Sequence, residues 1–496
     1  MSGDEPAGVV FPTSADGRRS TSALGSAVVA DALREVDKVG ALDAERDTNW
    51  RTGYVVHFRR LVEAGLASRE AAVSVARDGL ESVHRRMRVR RDDGEETGLD
   101  ALLSSPGDRR LTTVTVPGTG QVEDGLSLPY RGDRLRDDAL LRRLDAWVGS
   151  GVIEPSCAEA VRTVAAHPEW LRLPGRTIAV LGAGAEVGPL SPLLGWGARV
   201  IAVDLPRPPV WERVVDIARR SGGTLVVPVV AGQGGPADGS EALTQRAGLD
   251  LTSDIPAVAD WLAVMDGPLV LGNYVYADGA ANVRLSSAVD ALTVRLQAGR
   301  DDVTLGFLAT PTDVFAVPAE AVAQSVHAYT TRSRAAKLAG RPLRTLSGGR
   351  LLRRAYVPGV DPGINDSLVP QQGPNYALAK RVQRWRATLA RDAGTTVSMN
   401  VAPPTRTRSV MKNRVLAAAY AGAHRFGVEV FEPATCKMLM AALLVHDLNT
   451  GGGPAHAHPW QDEAHAAAHG GLWRIAYAPR SALGLAAALG YSTARK

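Results

Sequence analysis

A phenol and an amine one helical turn apart are the side chains of this sequence best placed to do chemistry. Tyr376 and Lys380 fall at i and i+4 in residues 373–380, Gly-Pro-Asn-Tyr-Ala-Leu-Ala-Lys. Pro374 suits the first turn of a helix, where its missing N–H would have no partner. The Ala, Leu, Lys and Arg residues that follow are strong helix formers. The spacing therefore predicts that both side chains lie on one helix face. A cation beside a phenol favours the phenolate and makes the tyrosine an acid or base usable near neutral pH. The same spacing also arises by chance, so its meaning depends on the elements around it.

The second chemical pattern is a glycine turn between two apolar runs. Residues 177–181 read as a buried strand, and Gly182-Ala-Gly184-Ala-Glu-Val-Gly188 follows at once. A helix is expected over 189–196, then a second strand over 198–203 that ends on Asp204. Glycines let backbone approach a pyrophosphate, and a helix N-terminus offers free N–H groups and the positive end of a dipole. A carboxylate about 20 residues further on reaches ribose hydroxyls. The layout fits dinucleotide binding. It fits an S-adenosylmethionine-dependent methyltransferase as well, and a tight turn without a ligand is the plain alternative.

These residues need a scaffold, and the alternation of elements supplies one. Further strands are expected near 224–230, 268–276, 303–310 and 395–401, with helices over 255–265, 281–297 and 373–391. Six strands with helices between them predict an α/β fold, a doubly wound parallel sheet of Rossmann-like type. The sheet domain is expected over 173–448, interrupted by insertions near 231–248 and 316–370. Residues 1–25 read as disordered, 26–172 as a mainly helical N-terminal region, and 449–496 as a C-terminal extension.

The chain of 496 residues is 45% hydrophobic and 22% charged, with a net charge of +5. Arg alternates with Asp and Glu through most of it, and no basic stripe with aromatic readers suggests nucleic acid. The densest basic run, residues 85–91, reads as a solvated helix end. No run of about 18 apolar residues predicts a membrane span. Two distant cysteines, Cys157 and Cys436, fit a reducing cytoplasm. His446, His456, His458, His465 and His469 crowd the C-terminal segment. With no third ligand at a fixed offset, they read as a lid or dimer contact, and no metal is expected.

In the order of these parts the chain resembles the short-chain dehydrogenase/reductase family. Gly182, Gly184 and Gly188 are similar to its glycine loop, and Asp204 to its ribose-binding acid. Leu249-Asp250-Leu-Thr resembles its Asp-Val-Thr segment, and Gly272-Asn273 the remnant of its Asn-Asn-Ala-Gly. Asn282 stands where the family has an active-site asparagine, and Thr310 or Thr312 where it has a serine. Tyr376 and Lys380 match its Tyr-x-x-x-Lys pair, and Pro403 and Thr405 lie in what looks like its cofactor-side loop. The departures are Leu190 for the last glycine, Pro404 for a glycine, Thr for Ser, and a long interval between Thr310 and Tyr376. The resemblance implies hydride transfer between NAD and a ketone or secondary alcohol of a small molecule, by a homo-oligomer. Tyr376 would be the acid or base, and Lys380 would hold the nicotinamide ribose. Thr310 would polarise the carbonyl, and Asn282 would anchor a water. Asp204 implies NAD, while Arg207 keeps NADP as the alternative.

Overall fold

The computed structural model describes residues 7–14, 16–232 and 240–491. Its centre is a seven-stranded, mostly parallel sheet. We number its strands β1 (Leu111–Pro117), β2 (Thr177–Leu181), β3 (Arg199–Val203), β4 (Thr224–Val230), β5 (Leu269–Asn273), β6 (Val303–Ala309) and β7 (Val397–Val401). Their order across the sheet is β7-β6-β5-β2-β3-β4-β1. β2 to β7 run parallel, whereas β1 pairs antiparallel with β4. The inner strands β2 and β5 are buried along their whole length, as unbroken apolar runs require when helices cover both faces. From β2 the chain builds outward to β4, then returns to the other side of β2 to lay down β5, β6 and β7. The direction of winding thus reverses between β2 and β5, and all parallel strands end on one edge.

The first third is not a separate region. It donates β1, which covers the outer edge of β4. Its helices Trp50–Gly65 and Arg69–Arg86 pack on the Gly373–Asp392 helix and share one apolar core with the sheet. Gly79 permits that approach, because a Cβ there would lie 2.5 Å from the Trp385 ring. Disorder was expected through residue 25, but Gly8–Val10 pairs with Arg88–Arg90, and a helix starts at Thr21. Burial of Val9, Val10 and Phe11 ties this segment down. Residues 1–6 lie outside the described residues, as do 233–239 of the expected 231–248 insertion, whose Ser240–Arg246 portion is helical. Among the described residues no helix is long and apolar enough to cross a membrane.

The C-terminal histidines are mostly structural. The Pro459–Ala464 helix ends before His465, so His465 and His469 do not share a helix face. His456 pairs with Asp462 at 2.8 Å and His469 with Glu154 at 2.8 Å. Among the described residues no group of three or more His, Cys, Asp or Glu could hold a metal ion.

Glu154 is buried and also accepts a bidentate pair from Arg474. Burial alone would raise its carboxyl pKa, but hydrogen bonds from His469 and Arg474, with the Arg474 charge, hold it down at about 2. The folded value thus lies below the unfolded one. The stabilisation is whole at neutral pH and begins to fall near pH 4, where the unfolded carboxyl takes up protons. It is lost as pH drops through about 2. Its size is on the order of 3 kcal/mol. The stability gap between wild type and Glu154→Gln, read by urea unfolding at pH 7 and pH 3, is expected to narrow at the lower pH. A gap that stays constant contradicts this assignment.

Candidate functional site

Because β2 to β7 are parallel, their C-terminal ends bring most of the expected site residues to one edge. Gly182–Gly188 follows β2, Asp204 follows β3, Asn273 ends β5, Thr310 follows β6, and Pro403 and Thr405 follow β7. In open α/β sheets this edge, where winding reverses, is where ligands bind.

The Gly373–Asp392 helix carries Tyr376 and Lys380 to that edge. Pro374 lies in its first turn, as expected. Its depth is fixed by charge: Arg381 and Arg384 both donate to Asp313, just past β6, at 2.8 and 2.6 Å. Arg384 also makes a two-pronged pair with Glu463. All of Asp313, Arg381 and Arg384 are buried. On the helix's other side Arg386 and His84 both donate to buried Asp290, on the Ala280–Gly299 helix. The helix can therefore neither slide nor rotate without parting buried ions.

Tyr376 meets Thr310, whose hydroxyl lies 2.9 Å from that of Thr312. Burial pushes the Tyr376 phenol up to about 12, against the pull of its hydrogen bond with Thr310 and with a further push from Asp313. The expected lowering by Lys380 does not occur. The Lys380 Nζ donates instead to Gln383 Oε1 at 3.0 Å, and Gln383 Nε2 donates to Asn273 Oδ1 at 3.3 Å. Burial lowers the Lys380 pKa to about 8. The two groups share a helix face but engage different strand ends, the phenol at β6 and the amine at β5. The phenol is thus a protonated acid at neutral pH.

Tyr276 packs edge-on to Tyr376 with ring centres 6.3 Å apart, and Tyr420 lies close enough for a Tyr376 phenolate to raise its pKa. Tyr420 also lines an apolar groove that opens to solvent. Thr312, Pro404, Tyr420, Phe426, Val430 and Leu483 are among its walls.

Asn282 does not cap its helix; Gly279 holds that position. Its Oδ1 accepts the Ala277 N–H at 3.2 Å, while its buried Nδ2 has no partner.

The glycine loop is partly knitted to itself. Gly182 has φ of 80°, and a Cβ there would lie 2.9 Å from the Tyr274 carbonyl, so only glycine lets the segment after β5 cross it. The Gly182 and Ala183 N–H groups donate to Val203, Ala185 to Gly182, and Gly188 to Ala185. The Gly184 N–H donates to Asp204 Oδ2 at 2.7 Å, and the Leu205 N–H to Asp204 Oδ1 at 2.8 Å. A carboxylate has about four acceptor positions, so Asp204 keeps room for a hydroxyl. The helix after the loop, Leu190–Gly195, is short. Asp250 lies beside Asp204 through the Leu249 N–H to Asp204 carbonyl bond, but its own carboxylate is held by Thr252. Thr405 donates to the Pro403 carbonyl, and Arg207 precedes the Pro208–Arg220 helix at its N-cap.

Cations that carried no motif surround this loop. Arg213 donates to the Gly184 carbonyl at 2.8 Å, and the Arg408 N–H donates to Glu186 at 2.8 Å. Lys437 lies within electrostatic reach of both Glu186 and Arg213 and is lowered in pKa chiefly by burial. Lys437 and the Arg408 guanidinium, the latter 3.8 Å away, thus face Glu186, while Arg213 lies by Gly184 and Asp204. They come from distant segments, which is why no local pattern announces them. Gln383 was the legible omission, since it stands at i+3 from Lys380.

No protein-family model matches this chain, and no curated protein matches it.

Proposed function

We propose that the chain is an NAD(P)-dependent oxidoreductase of Rossmann-like fold and short-chain dehydrogenase/reductase type, acting on a small apolar ketone or its alcohol. One observation carries the reading. A protonated phenol beside Thr310, next to an apolar groove walled by Thr312 and Tyr420, shares a sheet edge with a glycine loop that has Arg213, Arg408 and Lys437 around it.

The residues fit a dinucleotide. Asp204 has acceptor capacity for ribose, and the positive charge of Arg213, Arg408 and Lys437, in excess of Glu186 and Asp204 by one, suits a pyrophosphate. The unpartnered Nδ2 of Asn282 is a donor that a bound water would satisfy. When bound, the nicotinamide supplies the hydride. Tyr376 and Thr310 orient the carbonyl oxygen, and Tyr376 gives it the proton as negative charge develops. Lys380, tied through Gln383 to Asn273, holds the ribose side. Because the phenol stays protonated through neutral pH, reduction is the favoured direction, and oxidation gains only as the solution turns alkaline. A homo-oligomer working in the cytoplasm belongs to the same reading.

A thermal-shift screen of NADH, NADPH and S-adenosylhomocysteine tests it. A ligand at 100 times its dissociation constant adds about 2.7 kcal/mol of stability. Stabilisation by a reduced nicotinamide nucleotide is expected, weakened ~10-fold in apparent affinity in Lys437→Met. Stabilisation by S-adenosylhomocysteine alone would instead identify a methyltransferase. A cofactor that binds without any turnover would leave a non-catalytic nucleotide-fold protein.

A further inference from the structure

The long interval between Thr310 and Tyr376 holds the most one-sided charge in the chain. Residues 321–360 contain eight Lys and Arg and no Asp or Glu, in a protein whose whole net charge is +5. At its centre is the Arg334–Leu346 helix, capped by Ser333, whose side chain accepts the Ala336 N–H. None of its described side chains is buried. It lies on the molecule without joining the core.

Its two faces are chemically distinct. Arg334, Lys337, Arg341 and Arg344 recur at steps of three and four, forming one cationic stripe. Ala335, Leu338, Pro342 and Leu346 recur at similar steps on the adjoining face, with Leu343 beyond them. Leu338 is 67% exposed and Leu346 87%. Leucines standing in water beside a row of cations are costly for a helix that meets only solvent. Arg344 donates to the Tyr329 hydroxyl, and Arg332 and Arg354 stack on the Tyr329 ring, which fixes the helix's base to the body.

We propose that this helix docks the protein on an anionic lipid surface, lying in the plane of the headgroups with Leu338, Leu343 and Leu346 inserted. A basic amphipathic helix of this design binds membrane interfaces through apolar burial and attraction to acidic headgroups together. Nucleic acid would satisfy the cations and leave the leucines in water. A second copy would bring like charges together. The proposal concerns a surface, and so is compatible with there being no helix among the described residues that could cross a membrane.

Flotation of the full-length protein with vesicles of phosphatidylcholine, with and without phosphatidylserine, tests the proposal. Binding to the acidic vesicles is expected to be at least ~10-fold tighter and to weaken with added salt. Leu338→Asp and the Arg334→Glu/Arg341→Glu pair are each expected to abolish it, with thermal stability kept, since these side chains are exposed. Equal binding to both vesicles, or acidic-vesicle binding unchanged in these variants, overturns the proposal. So does a helix-dependent dimer or nucleic-acid complex in a protein that ignores lipid. Were a variant to unfold, salt-insensitive flotation of the wild type would overturn it equally.

Discussion

Tyr376→Phe is expected to lower kcat/KM for carbonyl reduction by ~100- to 10,000-fold, the usual worth of a positioned general acid. Cofactor affinity should change little, because in the proposed reaction the phenol meets the carbonyl and Lys380 the nucleotide. The substitution removes one oxygen from a ring that packs against Tyr276, so folding should be kept. Stopped-flow oxidation of the nicotinamide nucleotide measures the loss, and calorimetric titration checks the affinity. The pH profile separates this role from a structural one. Wild-type reduction should be flat across neutral pH, since burial holds the phenol up at about 12. Thr310→Val removes the hydrogen bond that opposes that rise, and so should push the phenol higher still and slow reduction further.

The largest expected loss of stability follows Asp313→Asn. The carboxylate faces two buried guanidinium groups, Arg381 and Arg384. Burial would raise its pKa, but the two cations outweigh that and keep it ionised. Asparagine keeps the volume and removes the charge, leaving two buried cations to share Glu463. Breaking one partner from a buried ion network costs about 3–5 kcal/mol. Chemical unfolding should show it as a lower midpoint at unchanged slope. Glu320→Gln, at the exposed start of the Ala319–Thr330 helix, is the control and should lie within about 0.5 kcal/mol of wild type. Since Asp313 also sets the depth of the helix that carries Tyr376, residual folded Asp313→Asn protein should lose reduction as well.

How much of this was legible depended on whether a signal was local. The parallel strands were, because a strand covered on both faces must be an unbroken apolar run, as in Thr177–Leu181 and Leu269–Asn273. The helix of Tyr376 and Lys380 was legible from Pro374 and from the helix formers behind it. What the pair does was not. The i,i+4 spacing fixes which face two side chains share, but not which partners they meet there. Gln383 and Asn273 drew the amine to β5, and Thr310 drew the phenol to β6. The glycine motif announced a turn, yet Gly182 is required by the crossing of Tyr274, a contact made by a strand almost a hundred residues away. The charges around that loop were invisible for the same reason, as Arg213, Arg408 and Lys437 belong to three separate segments. The strand at 111–116 was itself legible, but nothing local announced that it would pair with Thr224–Val230, more than a hundred residues further on.

The fate of the hydride is the most direct test of the central claim. The protein would be incubated with NADH or NADPH deuterated at nicotinamide C4 and a panel of apolar ketones, and the alcohols analysed by mass spectrometry. Deuterium on the carbinol carbon, formed by wild type and lost with Tyr376→Phe, is the predicted result. Alcohol formed equally well without the Tyr376 hydroxyl, or a nucleotide that neither binds nor gives up its deuterium, would contradict it.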